Sequence, residues 1–191
     1  MKKILIFIFI LGVFMAINLY AETKIIFPDD WKTLEDSSFF QHWRKEDKKL
    51  YLQCEGDFNG DGHLDFAYIL ENKNQIGISI YVFLYDPQGF SQHKLFDTTT
   101  DPNLIDGFKE YPNFDSYIKG YFLYYGIKTL PPGKYLTACG KGLVDCGEEG
   151  SEMEEIVIAN ESIVFFHYDA DGDKAYFWDI KNKKFKYVWL N

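Results

Sequence analysis

From residue 155 to residue 190 the chain is cut into four short runs rich in β-branched and aromatic side chains: 155–159, 162–168, 174–179 and 184–190. Asn160-Glu161, the Asp/Gly-rich stretch 169–173 and residues 180–183 separate them. Runs this short, broken by turn residues, suit strands and leave no room for a helix, so they predict an antiparallel meander. Upstream, 50–54, 65–71 and 77–85 read the same way, and the last, GISIYVFLY, is apolar enough to predict a strand covered on both faces.

A helix fits in one place. Trp31, Leu34, Phe39, Phe40 and Trp43 partly follow a helical face, and Ser37 or Ser38 could cap a short helix over 39–48. Residues 97–120, dense in Asp, Pro, Asn and Gly, predict a loop-rich surface insertion. Strands do not alternate with long helices, which excludes a doubly wound α/β fold, and no repeat long enough for a solenoid is present. The expected class is mainly β (β-rich α+β), with antiparallel meander sheets and a short N-terminal helix. With 47% hydrophobic and 19% aromatic residues, the chain can fill one core, which excludes wholesale disorder.

The first 21 residues read as an export signal. Lys2 and Lys3 precede the apolar run 4–17, and Leu19-Tyr20-Ala21 precedes polar Glu22. As a helix that run would span about 21 Å, short of the ~30 Å hydrocarbon core, so cleavage after Ala21 is expected rather than a lasting membrane span. Residues 22–191 then form a single domain, periplasmic or secreted. Against 20 basic residues stand 29 acidic ones, a net charge of −9, and losing Lys2 and Lys3 makes the remainder more acidic still. That balance argues against nucleic acid and polybasic membrane contacts as partners and favours cations.

One segment carries metal chemistry. Asp57-Phe58-Asn59-Gly60-Asp61-Gly62-His63-Leu64-Asp65 places Asp57, Asn59, Asp61 and Asp65 at positions one, three, five and nine, with Gly62 at six. Calcium takes about six to eight oxygen ligands; alternate side chains of a tight loop supply them, and His63 would add its backbone carbonyl. Three carboxylates converging without a cation would repel one another. A helix-loop-helix calcium hand needs a glutamate at position twelve, where this chain has Tyr68. The stretch GDFNGDGHLDFAYIL resembles instead the calcium loop of FG-GAP and VCBS repeats, found in integrin-type propellers and many exported bacterial proteins. PPGKYLTACGKG and the ending AYFWDIKNKKFKYVW are similar to exported bacterial proteins with a single VCBS-like motif. The resemblance implies compartment, a β-rich fold and calcium, and carries no activity with it. A single copy of the loop does not make a complete propeller.

The stretch 169–173, with Asp169, Asp171 and Asp173, lacks the further donors of a second metal loop and reads as a hairpin turn. His167 has no partner at zinc spacing and reads as a strand residue. In an oxidising compartment Cys139 and Cys146 are expected to form a disulfide closing a Gly-rich loop. Cys54 is left over and reads as a buried free thiol, with a bond to one of the other two cysteines, such as Cys139, or a bond between chains as the alternatives. Signatures of serine hydrolases, zinc proteases, P-loops and dinucleotide-binding folds are absent from the sequence. The expected function is a non-enzymatic, exported calcium-binding module for a protein or glycan partner of the envelope or beyond, for instance a periplasmic inhibitor or immunity-type protein. The alternative is a calcium-assisted hydrolase or carbohydrate-binding accessory whose aromatics, such as Trp31, Trp43 or Tyr124, stack on sugars.

Overall fold

The computed structural model describes residues 24–34, 51–100, 124–147, 150, 153–168 and 170–191. The export signal, the helix expected over 39–48 and nearly all of the surface insertion lie outside them. No described helix is long and apolar enough to cross a membrane.

The described residues form eleven strands: β1 (Trp31–Thr33), β2 (Gln53–Gly56), β3 (Asp65–Asn72), β4 (Ile78–Asp86), β5 (Gly89–Asp97), β6 (Tyr125–Leu130), β7 (Gly133–Leu136), β8 (Glu155–Ile158), β9 (Ser162–His167), β10 (Ala170–Asp179) and β11 (Lys184–Trp189). The expected mainly β, antiparallel class is observed. One sheet runs β1-β3-β4-β5 with β2 also on β3, a second runs β11-β10-β9-β6, and β7 pairs with β8 in a separate ribbon. Every pairing is antiparallel.

The sheets stack face to face. Ala67, Ile69, Ile78, Ile80, Val82 and Leu84 of the first meet Ile127, Ile163, Phe165 and Tyr176 of the second in one buried cluster. Such packing buries alternate residues of each strand. β4 departs from alternation because its other face is covered too. Tyr81 and Phe83 lie under Trp31 of β1 and Phe27, whose ring meets Tyr68 at 5.1 Å and Phe83 at 5.7 Å. On the far side of the second sheet, the ribbon packs Ile156 and Ile158 against Ala175 and Val188.

Several local expectations are corrected. The strand read at 50–54 starts at Gln53, and Tyr51 and Leu52 are helical. Trp31, assigned to a helical face and to sugar stacking, lies in β1 and is 6% exposed. β8 does not join the C-terminal meander; its register runs Gly133↔Ile158 to Leu136↔Glu155 with β7. The turn read over 169–173 is shorter, because β10 already pairs at Ala170↔His167 and shifts register before Lys174↔Phe165. β10 advances four residues there while β9 advances two, an irregularity that a polar Gly-containing stretch accommodates.

Cys139 and Cys146 are joined, with their Cα atoms 5.0 Å apart, between β7 and β8. Cys54 is free, and burial pushes its thiol up to about 12, with the Thr129 hydrogen bond opposing. Closing so short a span stabilises by roughly 2.5 kcal/mol on chain-entropy grounds. The double substitution Cys139→Ser/Cys146→Ser is therefore expected to lower the melting temperature by about 5–10 °C. Differential scanning calorimetry checks this, and an unchanged transition would show that the bond braces nothing.

Candidate metal centre

The loop Asp57–Asp65 joins β2 to β3, whose pairing ends at Gly56↔Asp65. Its first half is folded by its own carboxylates and amide. Asp57 Oδ1 accepts the N–H groups of Gly60 (2.8 Å) and Asp61 (3.0 Å), and Oδ2 accepts that of Gly62 (2.9 Å). Asn59 Oδ1 accepts the Asp61 N–H at 2.9 Å, and Asp61 Oδ1 accepts the His63 N–H at 2.8 Å. Asn59 Nδ2 donates to Asp61 Oδ2 at 3.0 Å. Short polar side chains capture nearby backbone N–H groups in this way wherever a chain turns tightly. Gly60 and Gly62 take φ of 79° and 83°, a region that costs other residues strain.

Asp65 is placed differently. It is fully buried, and its oxygens accept the N–H groups of Phe58 (2.9 Å), Asn59 (3.4 Å) and Tyr85 (2.7 Å). Burial pushes its carboxyl up to about 6, against the pull of those N–H donors, and the nearby like charge of Asp61 adds to the rise. His63 is exposed, with its ring centroid 4.3 Å from that of Tyr85.

Asp57, Asn59 and Asp61 are thus brought together and Asp65 lies at the base, facing the strands. Among the described residues, no three His, Cys, Asp or Glu side chains gather closely enough to hold a metal ion. The chemistry of the donor set nevertheless fits a hard cation. All the side-chain donors are oxygens. An ionised carboxylate offers about four lone-pair positions; Asp57 and Asp65 use three each and Asp61 two. No described basic side chain pairs with Asp57, Asp61 or Asp65; backbone N–H groups and the Asn59 amide are their described partners.

Two features escape a sequence reading. Phe58, between two acidic positions, is fully buried and belongs to the core shared by both sheets. An aromatic in an otherwise polar loop is the signal for it. The Asn160-Glu161 turn, between β8 and β9, reaches the loop: Glu161 Oε2 accepts the Asp57 N–H at 2.7 Å across 104 residues of chain. Nothing local in the sequence announces that contact. Of the expected sugar-stacking aromatics, Trp31 is buried, Tyr124 stacks on His167 at 5.7 Å and Trp43 lies outside the described residues. No family model, curated protein or solved structure matches this chain.

Proposed function

We propose that the chain is an exported, non-enzymatic interaction domain whose FG-GAP/VCBS-like loop is held by calcium. Asp57, Asn59, Asp61 and Asp65 are its side-chain ligands, with the His63 carbonyl alongside. The observation that carries this reading is the fully buried carboxylate of Asp65, without a basic partner among the described residues, at the base of a loop that gathers Asp57, Asn59 and Asp61. Ionised groups so placed are costly, and a divalent cation removes both the repulsion and the burial penalty. Calcium would supply structure rather than chemistry: it would fix the β2–β3 connection and, through Phe58, the packing of the two sheets. The export-signal pattern and the disulfide support a periplasmic or secreted location. The partner would be a protein or glycan of that compartment, as for an inhibitor or immunity-type protein.

A dissociation constant of about 10 μM with calcium at about 1 mM adds roughly 2.7 kcal/mol by mass action. For a domain of this size that raises the melting temperature by about 5–10 °C. Melting in calcium and in excess chelator tests it: the wild-type transition is expected to shift, and that of Asp61→Ala to stay where chelator puts it. Coincident wild-type curves would contradict the reading.

A further inference from the structure

We infer that Glu161 is a positioning residue of the calcium loop, setting its affinity by holding the Asp57 peptide from the opposite sheet. The inference rests on the calcium reading above. Asp57 opens the loop, and the direction of its peptide decides where its carboxylate points. That carboxylate gathers three of the loop's N–H groups, from Gly60, Asp61 and Gly62. Its own N–H is fixed from outside by Glu161 Oε2 at 2.7 Å, the length of a charge-assisted bond.

The approach is close on both sides of the first half of the loop. A Cβ on Gly56 would meet Glu161 Oε2 at 2.8 Å, and one on Gly60 would meet the Asn160 amide at 2.7 Å. The Asn160-Glu161 turn therefore sits over both ends of the segment that carries Asp57 and Asn59. The Glu161 oxygen sits on the Asp57 N–H itself, so what Glu161 fixes is the direction of that peptide. Its hydrogen bond also requires the two sheets to be in register at the loop, so calcium binding and sheet packing favour each other.

Geometry and charge can be separated by two variants. Glu161→Gln keeps an acceptor at the same reach and loses the charge; Glu161→Asp keeps the charge and withdraws the acceptor by one methylene. Calcium titration calorimetry is expected to show the Gln variant within about threefold of wild type and the Asp variant about tenfold weaker, the scale of one hydrogen bond. The calcium-induced rise in melting temperature is expected to shrink in the same order. Retained affinity in the Asp variant with loss in the Gln variant would overturn positioning in favour of simple charge. Unchanged affinity in both, with only the chelated protein destabilised, would reduce Glu161 to a structural contact and overturn it too. Absence of calcium binding by the wild type would overturn the calcium reading itself, an outcome distinct from the other two.

Discussion

Replacing Phe58 by alanine is expected to cost about 3–5 kcal/mol, the cost of emptying a fully buried aromatic site. The side chain is completely inaccessible and belongs to the cluster that joins Ile69, Ile80 and Val82 of the first sheet to Ile127, Ile163 and Phe165 of the second. It enters that cluster from a loop, not a strand, so the cavity left by Phe58→Ala opens between the sheets at the loop's anchor. Loss on this scale is a large part of a domain's usual ~5–15 kcal/mol. Urea unfolding measures it directly. A loss below about 1 kcal/mol would mean that the anchor is not packed as described. Calcium affinity is expected to fall in the same variant, because the anchor fixes the peptide between Asp57 and Asn59.

The second large effect is at Asp65. Asp65→Ala strips the acceptor from the Phe58 and Tyr85 N–H groups, which bond to it at 2.9 and 2.7 Å at a fully buried position. Each buried donor left unsatisfied costs about 1–3 kcal/mol, partly offset by relief of the carboxylate's burial, for a net loss of about 2–4 kcal/mol. This loss is expected in chelator, where it separates the structural share of Asp65 from its share as a ligand. In calcium the gap to wild type widens by the binding energy that is lost. Chemical denaturation of both proteins with and without calcium reads the two shares. Equal stability of variant and wild type in chelator would show that the three N–H bonds contribute nothing.

The sequence carried the strand pattern wherever a run was bounded by strong turns. GISIYVFLY lies within residues 77–85, and β4 is found at Ile78–Asp86, buried on both faces as its lack of alternation implied. The hairpin of β10 and β11 was legible for the same reason: 180–183 breaks two aromatic runs that pair from Lys174↔Trp189 to Asp179↔Lys184. β5 was not legible. GFSQHKLFD is an edge strand with several half-exposed or exposed positions, so burial leaves little imprint on its composition. β7 and β8 form a ribbon because their register with each other buries Ile156 and Ile158, a choice made by tertiary packing that neither run announces alone.

At the site, the spacing of Asp57, Asn59 and Asp61 made a tight polar loop legible, and in it their side chains hold the loop's own N–H groups. The differing role of Asp65 was not legible. It depends on Tyr85, which lies 20 residues away and donates its N–H from β4. Contacts such as Glu161 to Asp57 arise only when two sheets stack, and local sequence holds no record of them.

Calcium titration calorimetry of the oxidised wild-type domain beside Asp57→Ala tests calcium binding at this loop most directly. One calcium per chain, bound at about 10 μM or tighter and lost in the variant, is the predicted result. No binding heat at any calcium concentration up to several times ~1 mM, from a protein shown to be folded, would contradict it.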